Sequence, residues 1–466
     1  MLNLENLRNK KVGILGLGMT GLSVVRALNK AGALLTCWDD DKEKRNDLGL
    51  DGVTVKDLNN KNLLRELDLL VVSPGIPHLY PEPHAIVSLA YELNIRVDND
   101  IGLFFSSHVN DEYETFSKPP KIIAITGSNG KSTATALAGY VFSKVFRDVE
   151  IGGNIGKPVL ELSPLKEGSI RILELSSYQI ELAKNLAPNF AAFINFSPDH
   201  VRRHGGLGGY FYAKARLFLE NLTEMSVINI DTAEGLFLYQ RLSSADNKII
   251  AITSKIDVKD YLWAVSLKGC YITEWQKGRQ VYSYDLRLLD SSLMILRESI
   301  LVVYALARSY GMAPKSILIN CLGFVSLKHR IQKVCVIEGV TFINDSKATN
   351  VDATIHALKF FKNVHLIVGG QAKENNFDQL QLAMENVNRI YPMGESASLI
   401  ARSLQDHKLE QFVTLDKALE KAISYSREGD TILFSPACAS FDQYLNFEER
   451  GEHFISLVEQ YRKNLI

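Results

Sequence analysis

Residues 121–133 read KIIAITGSNGKST, and the order of events in that stretch decides the fold. A short apolar run, Ile122–Ile125, has the length and β-branched content of a buried strand; a turn of small polar residues follows, and a helical run comes next. Thr126–Thr133, TGSNGKST, has the make-up of a phosphate cradle. Gly127, Ser128, Asn129 and Gly130 are small enough for successive backbone N–H groups to converge on one anion, and the helix start adds partial positive charge. Lys131 would neutralise β and γ phosphates, as in ATP, and the hydroxyl of Ser132 or Thr133 would reach Mg²⁺. Ile125 stands where the strict GxxxxGK[ST] pattern needs its first glycine, so strand, turn, lysine and hydroxyl in order carry the reading.

Towards the N-terminus, a strand at Val12–Leu15 runs into Gly16, Gly18 and Gly21 in GxGxxG register, followed by a helical run to Ala31 and a second strand, Leu34–Trp38, ending at Asp39. That arrangement suits a nucleotide-type ligand and admits both NAD and a UDP-linked compound. LDLLVVSPGIP adds a strand ending in the turn Ser73-Pro74-Gly75. A polar, irregular stretch between Ser106 and Pro120 separates this part from the phosphate-loop part. Beyond it, LELSSYQ and AAFINFSPDH each read as a strand running into a polar site, and Ile249–Ser291, rich in Tyr, Trp, Val and Thr, reads as antiparallel strands at a sheet edge. After Leu327, strands such as VTFINDS, NVHLIVGG and DTILFSPA alternate with helices such as VDATIHALKFF. Alternating strands and helices make parallel sheets. The expectation is an α/β protein of three domains, 1–100, 101–326 and 327–466. The first and last are Rossmann-like, and the middle one has a mostly parallel sheet with an antiparallel edge.

Composition excludes several classes. The 466 residues are 46% hydrophobic and 23% charged, ample for several cores. With 52 basic and 53 acidic side chains, no global field draws the chain to nucleic acid or an anionic membrane, so anions must be held locally. Five cysteines, widely spaced and without a CxxC pair, argue against a disulfide framework and point to a reducing, cytoplasmic setting. Lys10, Lys11 and the apolar Val12–Val25 imitate a targeting signal, but the segment carries the phosphate-turn glycines, and no apolar run reaches the roughly 18 residues that span a bilayer.

Several residues gain interest from their position. Glu174, at a strand end in LELSSYQ, stands where an acidic metal contact would face the loop hydroxyl; taken alone it reads as a surface carboxylate. His200 and His204 form HxxxH, but no glutamate follows His200 in the HExxH manner and no cysteine is near, which disfavours zinc. Lys214, in YFYAKARLF, is flanked by apolar groups that would favour its neutral amine, against the ordinary alternative of reaching out to solvent. INDSKATN (Ile343–Asn350) and SPACASFDQ (Ser435–Gln443) put small polar residues at strand ends, where open α/β sheets bind ligands. Lys373 follows the Gly369-Gly370 turn and is the cation placed to meet an anionic substrate there.

TGSNGKST, GGNIG (Gly152–Gly156), ELSSYQ, Asp199-His200, YAKARLF and His329-Arg330 together resemble the Mur ligase family, and INDSKATN with SPACASFDQ resembles its D-glutamate-adding branch. The resemblance spans essentially the whole chain. It implies ATP-driven joining of D-glutamate to UDP-N-acetylmuramoyl-L-alanine through an acyl phosphate, in cytoplasmic peptidoglycan precursor synthesis, by a monomer that binds neither nucleic acid nor membrane. It further implies that Lys131 holds phosphates, that Ser132 and Glu174 bind one Mg²⁺, and that His200 and Lys214 bind a second, with Lys214 carbamylated. Arg330 and Asp345 would reach ATP. Thr349, Lys373, Ser435 and Phe441 would bind D-glutamate, while Met19, Thr20, Asp39, Ser73 and Asn154 would bind the UDP-sugar. Departures from the family pattern are Asp40 and Asp41 after the acid of the second strand, Arg202 after the DH pair, Lys328 before HR, and Leu296 and Ser299 at the adenine-side asparagine positions.

Other readings leave more unexplained. An NAD-dependent oxidoreductase would use the first glycine turn but neither TGSNGKST nor the third domain. A phosphate-loop module without an acceptor would turn over ATP alone, and a folylpolyglutamate-type ligase would lack the N-terminal domain. A Mur-type ligase with a different amino acid is the nearest alternative.

Overall fold

A computed structural model describes residues 4–45, 48–107, 116–220, 223–245, 247–373 and 376–465. Residues 108–115 of the expected 106–120 separator lie outside them. The chain divides into two compact units, residues 1–324 and 325–466.

The first unit holds two sheets. One has five parallel strands in the order Val53–Val55, Leu34–Trp38, Lys11–Leu15, Leu69–Val72, Arg96–Asp98. Lys11–Leu15 lies at the reversal of strand order, so the glycine turn after it opens at a topological switch point. The second sheet has nine strands, in the order Arg279–Asp285, Tyr271–Gln276, Trp263–Lys268, Ile249–Thr253, Met225–Asn229, Phe190–Phe193, Lys121–Thr126, Ile170–Glu174, Val149–Gly153. Lys121–Thr126 is flanked on both sides by parallel partners, which places the phosphate loop at the second switch point.

The antiparallel edge is narrower than expected. Only Trp263–Lys268, Tyr271–Gln276 and Arg279–Asp285 pair antiparallel. Ile249–Thr253 runs parallel to both neighbours, because the helix Ala233–Ser243 carries the chain back across the sheet before it. Residues 286–296 form short 3₁₀ turns instead of strand. The helix Lys131–Ser143 is buried along almost its whole length, its Leu137, Val141 and Phe142 packing with Ile300, Val303 and Tyr304 of the helix Arg297–Ser309. A helix covered in this way lies in a low-dielectric setting, where the partial charge at its start acts most strongly on an anion.

Within this unit the two sheets are tied by polar contacts at the helix Asp100–Ser106 and around Arg203. Asn99 Nδ2 donates to the Gln179 carbonyl at 2.8 Å, Lys184 N to Asp98 Oδ1 at 3.1 Å, and Arg203 to the Ile76 carbonyl at 2.7 Å.

The second unit is a five-stranded sheet in the order Gln332–Ile337, Val340–Asn344, Thr431–Phe434, Val364–Gly369, Val387–Met393, parallel except for the first hairpin. Three of its strand ends carry the polar strings: INDSKATN after Val340–Asn344, GGQAK after Val364–Gly369, and SPACAS after Thr431–Phe434. No helix among the described residues is long and apolar enough to cross a membrane.

Candidate active site

The phosphate loop is held from below before any ligand arrives. Gly130 caps the helix at φ 78°, a left-handed conformation that glycine adopts without strain. Asn195, at the end of the neighbouring strand, accepts the Ser128 and Asn129 N–H groups on Oδ1 at 3.0 and 2.9 Å and donates Nδ2 to the Asn129 carbonyl at 2.8 Å. Ser128 Oγ donates to the Ser197 carbonyl at 2.9 Å and meets Tyr210 Oη at 3.1 Å. Two loop N–H groups are therefore committed inward, and the first helical turn follows directly after Gly130. Lys131 folds over the loop, its Nζ 2.8 Å from the Ser128 carbonyl. Ser132 and Thr133 lie in the first helical turn and are nearly buried.

Glu174 sits on the adjacent strand in register with Ile125, one residue before the loop begins. It is buried, and Oε1 accepts Asn154 Nδ2 at 2.9 Å; Oε2 has no hydrogen-bond partner among the described residues. A buried carboxylate oxygen without a donor is costly, and a hard divalent cation with oxygen ligands would satisfy it. The residues present therefore fit Mg²⁺. Asn154 also donates its backbone N–H to the Glu174 carbonyl at 2.8 Å, so it is fixed against Glu174.

Lys214 is fully buried on the helix Leu207–Leu219, with Nζ 2.6 Å from the Gly127 carbonyl and 4.6 Å from the centre of the Tyr210 ring. Burial holds its pKa well below the ordinary lysine value, and the Lys131 charge pushes the same way, against Asp199 and Glu174. The amine is thus biased towards its neutral, nucleophilic form. His200 follows in a left-handed conformation, half-exposed, with Nε2 3.4 Å from Asp199 Oδ2 and its ring 5.1 Å from Tyr178. His204 is used otherwise: its ring nitrogens meet Glu181 Oε1 at 3.0 Å and Ser177 Oγ at 2.9 Å, a buried structural clasp.

At the glycine turn, Met19 (71% exposed) and Thr20 open the helix Met19–Lys30. Asp39 accepts Leu17 N–H on Oδ2 at 2.7 Å and Asp41 N–H on Oδ1 at 2.9 Å, so it braces the turn, and Ser73 Oγ donates to the Gly16 carbonyl at 3.0 Å. Asp40, where the family pattern departs, is drawn into a cluster with Trp38 Nε1 at 3.2 Å and His84 Nε2 at 2.9 Å.

In the second unit, Lys373 Nζ lies 3.4 Å from Thr349 Oγ1, bringing two of the expected amino-acid contacts together. Ser435 is engaged by other side chains. Its hydroxyl is fully enclosed between Asp345 Oδ2 at 2.8 Å and Thr354 Oγ1 at 3.0 Å, and so supports Asp345. Asp345 also accepts Ile331 N–H on Oδ1 at 3.1 Å, next to Arg330, and burial pushes its carboxyl up to about 7. Phe441 is 65% exposed. Sequence reasoning overlooked Asn195, the first polar residue after the strand Phe190–Phe193, and Arg450, whose contacts come from a helix far along the chain; position at a strand end was the available signal for the first.

Family models match this chain in three places: a Mur ligase MurD-like N-terminal domain over residues 10–94, a Mur ligase middle domain over 125–280 and a Mur ligase glutamate ligase domain over 329–438. The chain is 42% identical over 463 residues to a UDP-N-acetylmuramoylalanine–D-glutamate ligase of Ruegeria pomeroyi, covering 99% of each. It is 43% identical over 464 residues to the ligase of the same name from Dinoroseobacter shibae, covering 99% of this chain and 100% of the relative. Among solved structures, it is similar in fold to a UDP-N-acetylmuramate-alanine ligase from Thermotoga maritima (TM-score 0.58, 17% identity, covering 98% of this chain and all of that one). A pseudomurein peptide ligase type C from Methanothermus fervidus is similar at TM-score 0.58 and 15% identity, covering 97% of this chain and all of its own.

Proposed function

The chain belongs to the Mur ligase family, among its UDP-N-acetylmuramoylalanine–D-glutamate ligases, and from that premise we propose how its residues divide the reaction. It is an ATP-using, amide-forming ligase of peptidoglycan precursor synthesis. A carboxylate is a poor electrophile, so the alanyl carboxylate of UDP-N-acetylmuramoyl-L-alanine must first be activated. One of its oxygens attacks the γ phosphorus of ATP, the bond to the β–γ bridging oxygen breaks, and ADP leaves from an acyl phosphate. The amine of D-glutamate then adds to the acyl carbon, loses a proton, and phosphate departs from the tetrahedral intermediate. Positioning and charge stabilisation supply most of the catalysis.

Lys131 and the Gly130–Thr133 amides hold the phosphates, with Gly127, Ser128 and Asn129 shaping the cradle. Ser132 and Glu174 would hold one Mg²⁺, and His200 with Lys214 a second, and their charge would neutralise the phosphoryl oxygens. The neutral Lys214 amine adds CO₂ to give a carbamate and a proton, turning a buried donor into an anionic oxygen ligand. Met19, Thr20, Asp39, Ser73 and Asn154 serve the UDP-sugar. Arg330 and Asp345 serve ATP, and Thr349 and Lys373 the D-glutamate carboxylates, with Ser435 bracing Asp345 and Phe441 at the rim. We assign residues 1–100 to the UDP-substrate, 101–326 to ATP and 327–466 to the amino acid, in a cytoplasmic monomer.

The observation that carries this division is the buried Glu174 Oε2, without a donor among the described residues and one strand away from the phosphate loop. The test is phosphate release by the purified protein with ATP, Mg²⁺ and UDP-N-acetylmuramoyl-L-alanine, offering D-glutamate, L-glutamate, L-alanine and meso-diaminopimelate separately. Turnover confined to D-glutamate is expected. No stimulation, or better stimulation by another amino acid, would remove the amino-acid assignment. For the carbamate, Lys214→Ala should lose activity and regain part of it with small carboxylates; a near-normal Lys214→Ala enzyme would refute it.

A further inference from the structure

We propose that Arg450 is a positioning residue for the amino-acid end of the reaction, fixing Thr349 and Lys373 relative to one another through the backbone of the loops that carry them. The proposal rests on the D-glutamate reading of those two residues.

Arg450 lies on the helix Phe447–Asn464 and is fully buried. Its guanidinium makes four hydrogen bonds, all to loops. Nε donates to Ser346 Oγ at 3.1 Å and one terminal nitrogen to the Ser346 carbonyl at 2.8 Å; that nitrogen also reaches the Cys438 carbonyl at 3.0 Å, and the other reaches the Ala439 carbonyl at 3.0 Å. Ser346 stands three residues before Thr349. Ala439 in turn exchanges two backbone hydrogen bonds with Gln371, each 2.9 Å, two residues before Lys373. One planar fork thus joins the INDSKATN, SPACAS and GGQAK loops.

The third loop is also shaped around it. A Cβ on Gly370 would lie 2.4 Å from the Ala439 carbonyl oxygen and 2.9 Å from the Arg450 terminal nitrogen, and φ there is 136°, so the turn closes only with glycine. Neither lysine, a point donor, nor an apolar residue could reproduce the fork. Among the described residues no carboxylate pairs with this guanidinium, and burial lowers its pKa to about 10. A buried cation held by three carbonyls and one hydroxyl is an expensive way to fill space, since apolar residues of similar volume pack at lower cost. What the fork supplies is a fixed spacing between loops.

Steady-state kinetics of Arg450→Met and Arg450→Lys tests this. Arg450→Met should raise KM for D-glutamate by about tenfold while KM for ATP and for the UDP-substrate stay within about twofold. Arg450→Lys should fall between, because one ammonium keeps some of the carbonyl bonds. Equal shifts in all three KM values, or an unshifted D-glutamate KM, would overturn the proposal. Should Arg450→Met lose its cooperative thermal transition, Ser346→Ala, which removes the Nε acceptor together with the bond from Ser346 Oγ to the Phe447 carbonyl and leaves the three carbonyl bonds of the guanidinium, decides instead: a rise of about two- to threefold confined to the D-glutamate KM supports positioning, and none refutes it. If the wild type prefers another amino acid, the functional reading fails separately, and the selective shift for that amino acid still tests Arg450.

Discussion

The phosphate loop and the loops proposed to take the amino acid solve the same problem, presenting polar groups at strand ends, in opposite ways. The phosphate loop is one contiguous string at a helix start, and its remote supports, Asn195 and the Lys214 amine, meet it from the neighbouring strand end and a following helix. The amino-acid end is three strings separated in sequence and joined by one guanidinium and a pair of backbone hydrogen bonds. An anion with three equivalent oxygens can be met by amides in sequence, because a helix start aligns them. An amino acid with two carboxylates and an amine needs donors from different directions, and the proposed site draws them from three strand ends of one sheet.

That contrast predicts where single substitutions hurt most. Lys131→Met should lower D-glutamate-dependent phosphate release by about a thousandfold, as removal of a charge from a preorganised oxyanion site does; a loss below tenfold would mean that the cradle amides suffice. Lys373→Met should act next, raising KM for D-glutamate by about a hundredfold with little change for ATP. Ser435→Ala, whose hydroxyl is enclosed, should move that KM far less, and equal effects would return Ser435 to the ligand. Asn195→Ala should raise KM for ATP by about tenfold and spare D-glutamate, since it loosens only the contiguous loop.

The smallest effect concerns stability. Each unit holds a buried acid pushed up to about 7 by burial: Asp345 has donors on both oxygens, whereas Asp100 Oδ1 has no partner among the described residues. The folded pKa of Asp100 lies above its ordinary 3.8, so its contribution to stability is full below that value and is lost as pH rises towards about 7. Urea unfolding at pH 4.5 and pH 8 should show the wild type losing stability relative to Asp100→Asn across that span. A difference independent of pH would mean that Asp100 is ionised in the folded chain. Asp100→Asn should leave phosphate release intact, whereas Asp345→Asn should not.

Much was legible along the chain. The strands Leu34–Trp38 and Lys121–Thr126, the helix after Lys131 and the strand ends bearing INDSKATN and SPACAS follow from apolar runs punctuated by glycine and small polar residues. Adjacency along the chain did not reveal environment or direction. Ser435 and Phe441 sit in one string, yet one is sealed against Asp345 and the other points to solvent. Asn154 belongs with Glu174 because the strands Val149–Gly153 and Ile170–Glu174 are neighbours in the sheet. Ile249–Thr253 reads as an antiparallel strand from composition, but the crossover helix before it sets its direction.

By itself the sequence determined the chemistry available: a lysine and hydroxyls at a helix start, an acid at the next strand end, a lysine among apolar residues, and a family-wide set of strings. Local backbone geometry and residue type are enough for that, since a phosphate cradle is built from neighbours. Tertiary structure alone decided which of those groups keep an open valence. Glu174 has an oxygen without a donor among the described residues, Asp39 takes one amide on each oxygen, the Ser435 hydroxyl is enclosed between Asp345 and Thr354, and Arg450, far along the chain, spans the loops around Lys373 and Thr349, because hydrogen bonds between distant segments exist only once the sheets have brought them together.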